Sequence, residues 1–286
     1  MKIERKPAWL KIKLESGENY PFVKHMVEQN NLHTICSSGK CPNMGQCWSL
    51  GTATFMILGD ICTRSCKFCA TKTGKPLPID ENEPQKIADS IRLMQLKHCV
   101  ITSVDRDDLP DKGANHWANT IRKIREENPS IIIEILIPDY DKKLLQIVLD
   151  AKPDIVAHNL ETVERLTPLV RSKATYQNSL NVLKNIAESS MITKTGIMVG
   201  LGETREEVVN LLKTCRDTGC EIITIGQYLQ PSKDNIAVTE YVHPDTFAFY
   251  KIAAQSLGFK SVESAPLVRS SYMAERSFLN SLIQKK

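Results

Sequence analysis

A chain of 286 residues with 42% hydrophobic and 24% charged side chains has an ordinary globular composition, with length enough for one large domain or two smaller ones. Its formal net charge is only +4, and the basic residues are scattered rather than gathered into the runs that mark tails binding nucleic acid or membranes. No apolar run approaches a membrane span, and Met1-Lys-Ile-Glu-Arg-Lys-Pro7 lacks the apolar core of a signal peptide, so a reducing cytoplasm is the expected compartment.

In chain order, Phe22, Val23, Met26 and Val27 fall at helical spacing and predict a first short helix. Cys36, Cys41 and Cys47 follow as C-x4-C-x5-C, interrupted by Gly39, Pro42 and Gly45, which predict loop rather than helix there. From Thr52 onward the pattern becomes strand, loop, helix, repeated six times. The strand-like runs are 52–58, 99–104, 131–137, 154–158, 193–199 and 221–227, all short, apolar and rich in β-branched residues, as in a parallel sheet covered on both faces. Directly after the first of them comes Cys62-Thr-Arg-Ser-Cys66-Lys-Phe-Cys69, a C-x3-C-x2-C group.

Amphipathic helices separate the strands. Ile87, Ile91 and Met94 share one face, as do Tyr176, Leu180, Leu183 and Ala187. Thr204 and Glu207 form a capping box ahead of Val208, Leu211, Leu212 and Cys215, and Gly219 ends that helix. Pro231-Ser-Lys-Asp-Asn235 breaks the repeat. His243-Pro-Asp245 then opens another helix, Gly258 closes it, 260–265 is extended, and Arg269-Ser-Ser-Tyr272 precedes a helical tail. Six βα units predict either a doubly wound sheet or a closed or partial barrel, and periodicity does not choose between them. In both, ligands bind at the carboxyl ends of the strands, where the second cysteine group falls.

Six of nine cysteines within one stretch point to metal chemistry. Short loops that converge several thiolates suit an iron-sulfur cluster, and three ligands for a four-iron cube leave one corner open. A structural zinc ion asks for four ligands in paired spacing, and a chain of this size without a secretory signal does not need a disulfide scaffold. Cys99, Cys215 and Cys220 read as small buried apolar residues.

The C-x3-C-x2-C loop, with Phe68 just ahead of its last cysteine, resembles the signature of the radical S-adenosylmethionine enzymes. The upstream group with Cys41-Pro-Asn-Met-Gly-Gln-Cys47-Trp, together with Arg269-Ser-Ser-Tyr272, resembles the lipoyl synthase family. Further matches are Thr102-Ser-Val-Asp-Arg-Asp-Asp-Leu109, His158-Asn-Leu-Glu-Thr162 and Lys194-Thr-Gly-Ile-Met-Val-Gly-Leu-Gly-Glu203, so the likeness spans nearly the whole chain. It departs at Ser37 to Lys40 and Gln46, where the family carries acidic residues, and at Met273, where it carries His.

The resemblance implies a partial (β/α)6 barrel over residues 52–232, an N-terminal extension 1–51 bearing an auxiliary cluster loop, and a C-terminal extension 233–286. It implies a 4Fe-4S cluster on Cys62, Cys66 and Cys69 that cleaves S-adenosylmethionine to a 5'-deoxyadenosyl radical. It also implies a second 4Fe-4S cluster on Cys36, Cys41 and Cys47, with Ser271 as oxygen ligand, which gives sulfur to carbons six and eight of an octanoyl-lysine. Phe68, Asn159, Glu161, Gly200 and Glu203 are implied around the nucleotide. The implied partners are octanoylated carrier domains (2-oxoacid dehydrogenase E2 subunits and the glycine cleavage H protein), a ferredoxin or flavodoxin, and a cluster carrier, with neither nucleic acid nor membrane. Competing readings are a biotin synthase-like sulfur inserter, a tRNA methylthiotransferase, for which the chain ends too soon, and a two-cluster electron carrier, which would close each cluster with a fourth cysteine.

Overall fold

The computed structural model describes residues 6–12, 17–272 and 274–275, so the predicted helical tail and Met273 lie outside the described residues apart from Ala274 and Glu275. Helix α1 (Asn19–Gln29) leads into a short strand β1 (His33–Thr34) and two short helices, α2 (Ile35–Ser38) and α3 (Met44–Ser49). Strand β2 (Thr54–Ile57), a small ribbon of β3 (Ile61–Cys62) and β4 (Lys72–Thr73), and helix α4 (Glu83–Leu93) make the first βα unit. The next two units are β5 (His98–Ser103) with α5 (Ala114–Glu127) and β6 (Ile132–Leu136) with α6 (Lys142–Leu149). Strand β7 (Ile155–Ala157) is followed by α7 (Thr167–Val170) and α8 (Tyr176–Ala187). Then come β8 (Ile192–Val199) with α9 (Arg205–Asp217), β9 (Ile222–Gln227) with α10 (Pro244–Ser256), and a final strand β10 (Ser261–Ser264).

Sheet order resolves what periodicity left open. The strands run β1-β2-β5-β6-β7-β8-β9-β10, with β1 antiparallel to β2 and every other neighbour parallel. Spatial order follows chain order without reversal, so right-handed crossovers place every connecting helix on the same face. A doubly wound sheet would reverse direction to cover both faces. This sheet must instead curl to cover its other face with itself, and because its edge strands β1 and β10 do not pair with each other the result is a partial barrel.

Two apolar layers fasten the helices to the outside. Ile87 and Ile91 of α4, Trp117 and Ile121 of α5 and Val148 of α6 pack on Phe55, Ile101 and Ile133. Leu183 of α8, Leu212 of α9 and Phe247 of α10 pack on Ile223 and Ile225. At about 1.5–3 kcal/mol for each large side chain buried, these layers are what hold the barrel together. Inside, Ile132, Ile155, Ile192 and Ile222 cluster into an apolar layer. Two residues further on, strand alternation also turns Glu134 and Lys194 inward. There Lys194 Nζ meets Glu134 Oε1 at 2.6 Å and His98 Nε2 lies 3.3 Å from Oε2.

The first cysteine group corrects the expectation of continuous loop, since Cys36 lies in α2 and Cys47 in α3, with Cys41 between. Thr34 caps α2 by accepting from Ser37 N at 3.3 Å, and Gly39 closes it as C-cap. Gly45 sits within α3, which is retained because Trp48 packs on Tyr20 with ring centroids 5.3 Å apart. At Gly45 tertiary packing overrides the local preference of glycine, while Gly39 and Pro42 keep theirs at the cap and in the turn between the helices. Cys99, Cys215 and Cys220 are fully buried, as expected of core residues.

Candidate active site at the mouth of the barrel

The chain leaves β2 through two left-handed residues, Leu58 (φ 69°) and Gly59 (φ 93°). Such a φ is strained for leucine, and tertiary bonds hold it: Leu58 N donates to Glu83 Oε2 at 2.9 Å and Leu58 O accepts from Arg106 Nη1 at 3.2 Å. This sharp turn delivers the C-x3-C-x2-C loop to the carboxyl ends of the strands. Cys62 Sγ accepts from Arg64 N (3.4 Å) and Asp105 N (3.3 Å), Cys69 Sγ accepts from Thr71 N (3.4 Å), and Cys66 Sγ lies 3.5 Å from Ser172 Oγ. Burial pushes the Cys62 thiol up to about 11, with the Asp105 carboxylate adding to the rise, and burial also raises Cys69.

Arg64, within the same loop, is the most heavily paired side chain of the site. Its Nε and Nη2 form a fork on Asp107 at 2.8 and 2.9 Å, and its Nη1 contacts Asp139 and lies 3.3 Å from Asp105 Oδ1. The guanidinium holds the Asp107 carboxyl well below the usual carboxylate range. Beneath it, His158 Nδ1 lies 3.0 Å from Ile137 O and Nε2 lies 3.0 Å from Ser179 Oγ, which accepts from Arg171 Nη1 at 2.7 Å.

The first group is built differently. Cys41 N donates to Cys36 O (3.0 Å), and Cys36, Trp48, Val23 and Ala53 form a small apolar core with Cys47 packed against it. Burial, and then the neighbouring Cys36 and Cys41, push the Cys47 thiol up to about 12. The C-terminal segment closes over this group: Asn43 Nδ2 donates to Leu267 O at 2.7 Å, and Tyr272 Oη lies 3.4 Å from Gln46 Oε1. Gly226 makes the crossing possible, because a Cβ there would collide with the Val268 carbonyl. The crossing carries Arg269 inward beside Cys41, and burial there pushes the guanidinium below its ordinary range.

Both groups open onto one cavity of about 480 Å³. Cys62, Cys66 and Cys69 line it, as do Gly39, Lys40 and Pro42 of the first group, whereas Cys36, Cys41 and Cys47 themselves are not part of the lining. Ser270 and Arg269 reach the lining, and Ser271 does not. Of the expected nucleotide contacts, Phe68, Asn159 and Glu161 line the cavity. Gly200 and Glu203 do not, and the structure gives them another task. Glu203 accepts from Gly200 N at 2.5 Å and Leu201 N at 3.0 Å, and Gly200 (φ 98°) leaves no room for a Cβ beside Gln227 and Glu240. They shape their own loop behind the site.

Sequence reasoning missed Arg64, Asp105, Asp107, Asp139 and Arg171. The available signal was an arginine inside the cysteine loop set against the acidic Asp105-Arg-Asp-Asp108 run at the end of the neighbouring strand.

Residues 56–215 match the Radical SAM superfamily. Among curated proteins, the lipoyl synthase of Parabacteroides distasonis is 61% identical over 274 residues, covering 95% of this chain and 98% of that protein. The lipoyl synthase of Treponema denticola is 53% identical over 279 residues, covering 97% of this chain and 96% of that one. Among solved structures, the [FeFe]-hydrogenase maturase HydG matches with a TM-score of 0.61 at 12% identity, over 85% of this chain and 63% of that chain. Methylornithine synthase matches at 0.54 and 13%, over 85% and 74%, and both likenesses concern the fold. With more than half its residues identical to curated relatives along almost their full length, the chain belongs to the lipoyl synthase family of the radical S-adenosylmethionine superfamily.

Proposed function

We propose that the two cysteine trios hold the two clusters of one active site: Cys62, Cys66 and Cys69 the radical cluster, and Cys36, Cys41 and Cys47 with Ser271 the auxiliary one. The protein is a radical S-adenosylmethionine sulfurtransferase of its family, converting a protein-bound octanoyl group to the lipoyl group with two 4Fe-4S clusters and S-adenosylmethionine. The observation that carries the assignment is that loops from both trios wall a single cavity.

The residues present fit these groups. Each trio offers free cysteine thiols, the soft sulfur donors that iron-sulfur clusters take. Asn159 Oδ1 is buried at the cavity wall with no hydrogen-bond partner among the described residues, as suits a position that a nucleotide completes. Bound there, the cofactors supply what no side chain can, hydrogen abstraction from an unactivated methylene and a sulfur atom for the carbon left behind.

The chain's own residues then position and shield. Leu136, Val104 and Val268 give the cavity an apolar surface suited to an alkyl chain, while Phe68, Asn159 and Glu161 take the nucleotide. Residues 1–51 present the auxiliary trio and add the edge strand β1, 52–232 supply the six βα strands of the barrel, and the C-terminal extension adds β10 and carries Arg269 and the serine pair across its mouth. The substrate is a lipoyl carrier and the reaction needs a reductant. Within those classes the proposed partners are octanoylated domains of 2-oxoacid dehydrogenase E2 subunits and the glycine cleavage H protein, a ferredoxin or flavodoxin, and a cluster carrier. No helix among the described residues is long and apolar enough to cross a membrane, and the cytoplasm is the proposed compartment.

Mass spectrometry of an octanoylated carrier domain, incubated with reconstituted protein, S-adenosylmethionine and reductant, tests the proposal. Two sulfurs gained in place of two hydrogens are expected. Formation of 5'-deoxyadenosine with an unchanged carrier would overturn it.

A further inference from the structure

We propose that Arg64 is a positioning residue for the radical chemistry, clamping the three-cysteine loop to the neighbouring strand ends so that its thiols are arranged before any cluster arrives. The inference rests on the assignment of Cys62, Cys66 and Cys69 as the ligands of the radical cluster.

The loop has little regular structure of its own. The ribbon of β3 and β4 pairs only Ile61 with Lys72 and Cys62 with Thr73, and from there to Cys69 the backbone belongs to no helix or strand. Three thiols must nevertheless keep fixed places around an open fourth corner. Arg64 supplies the missing constraint. Its side chain is 6% exposed, and its donors reach three carboxylates on two other segments, Asp105 and Asp107 after β5 and Asp139 after β6.

Each of those three residues has a further tie. Asp107 Oδ2 is 3.2 Å from Lys173 Nζ and accepts from Thr63 Oγ1 at 3.3 Å, and Asp139 Oδ2 accepts from Asn178 Nδ2 at 3.2 Å. Asp105 donates its backbone N–H to Cys62 Sγ at 3.3 Å and accepts at its carbonyl from Thr63 N (3.0 Å) and Thr63 Oγ1 (2.9 Å). One guanidinium thereby joins the cysteine loop to the segments after β5, β6 and α7.

Two features separate this from ordinary surface pairing. Buried ion pairs seldom add stability over apolar packing of the same volume, so a cation among three carboxylates is better explained by the geometry it imposes. That geometry is particular to arginine. Its planar fork can bind Asp107 through two bonds while Nη1 faces Asp139 and Asp105, whereas a lysine carries the same charge without the fork. The clamp also keeps a permanent positive charge within the loop, and charge and hydrogen bonds around a cluster set its reduction potential.

Arg64→Lys and Arg64→Gln therefore divide the two contributions. In metal-free full-length protein, amide hydrogen exchange over residues 62–74 should speed up by about tenfold or more in both variants, with the amides of β8 within about twofold of the parent. Unchanged exchange over 62–74 would overturn the clamp. An equal rise across the whole chain would overturn it too, making Arg64 a general stabiliser of the fold.

The second measurement uses the reconstituted full chain with Cys36, Cys41 and Cys47 replaced by Ala, so that electron paramagnetic resonance reads only the radical cluster. Arg64→Gln should lower its midpoint potential and alter its line shape, and Arg64→Lys should restore the potential but not the line shape. Identical potential and line shape in all three would overturn the proposal. If this background with Arg64 intact binds no iron, the ligand assignment falls, and the exchange data on metal-free protein alone decide the clamp.

Discussion

Loops of the two cysteine trios wall one cavity, but the trios are held by different means. Around Cys62, Cys66 and Cys69 the protein is polar and over-determined, with backbone amides aimed at sulfur and Arg64 bonded to segments far apart in sequence. Around Cys36, Cys41 and Cys47 backbone amides also reach sulfur, from Thr54 to Cys36 and from Asn43 and Met44 to Cys41, but the holder is assembled from parts: two short helices, an apolar satellite core around Trp48, and a C-terminal crossing that arrives from the other end of the chain. On the proposed assignment the difference has a chemical sense. A cluster used in every turnover needs a fixed cradle, whereas one that surrenders sulfide needs a holder that can release and be refilled.

The largest effect that probes this contrast is loss of the first kind of holder. Replacing Cys62, Cys66 and Cys69 together by Ala should reduce both S-adenosylmethionine cleavage and lipoyl formation to background, and halve the iron from about eight to about four per chain. Retained 5'-deoxyadenosine formation would sink the assignment.

Replacing Cys36, Cys41 and Cys47 together should cut the same iron by half with a different functional result. Cleavage of S-adenosylmethionine persists while the carrier gains no sulfur, because the alkyl radical finds no donor. Lipoyl product from that variant would mean that the sulfur comes from elsewhere.

Ser271 distinguishes a permanent from a releasable ligand set. A serine oxygen is a harder donor than a thiolate and a poorer match for cluster iron, so it should let go as sulfide is extracted. Ser271→Ala should still assemble both clusters but transfer sulfur at least about tenfold more slowly, a loss on the scale seen when groups around a metal site are removed. Ser271→Cys should bind iron more firmly and also turn over slowly. Because Ser270 rather than Ser271 lines the cavity, Ser270→Ala belongs in the same series. An inactive Ser270 variant beside two active Ser271 variants would move the ligand by one residue.

Much of this architecture was legible in the sequence, and the parts that were not share a cause. All six apolar runs became strands, the Thr204 and Glu207 capping box formed, and residues 261–264 of the expected extended segment joined the sheet as β10. Strand periodicity alone did not choose barrel over doubly wound sheet, because it is the same in both and only pairing order differs; the family resemblance made that choice, and the sheet order agrees with it. The helices carrying Cys36 and Cys47 were hidden because they are short and lie on either side of Gly39 and Pro42, and because Gly45, inside the second, yields its local preference to the packing of Trp48. The clamp was hidden for a related reason. Arg64 meets Asp107 and Asp139 across 43 and 75 residues of chain, and no local pattern in one sequence encodes such a meeting. Gly200 and Glu203 illustrate the converse, a motif whose members serve the loop rather than the cavity.

The polar construction of the radical side carries a cost in pH sensitivity that the apolar auxiliary side should not share. His158 lies beneath the clamp, and burial, followed by the charge of Arg171, pushes its imidazole down to about 4 from an ordinary 6.5. Asp139 opposes that fall and Arg64 adds to it, so the groups facing the ring are accounted for on every side. Its bonds explain the neutral form. Ile137 O can only accept, so Nδ1 carries the proton, while Ser179 accepts from Arg171 and can give its own proton to Nε2. A second ring proton would break that chain. As pH falls, the unfolded chain therefore binds a proton near pH 6.5 that the folded one refuses until about 4, and stability present at neutral pH is lost across that window. The loss should be about 2 kcal/mol between about pH 7 and pH 5 for this group. Urea melts of metal-free protein measure it, with His158→Gln as the comparison, since a glutamine cannot titrate. The parent should show a steeper decline than the variant by about that amount, and exchange at the lower pH should quicken over residues 62–74 before it does in α3. Parallel declines in parent and variant would show that His158 takes up its proton at the same pH folded as unfolded, and would remove it from beneath the clamp as a group held neutral.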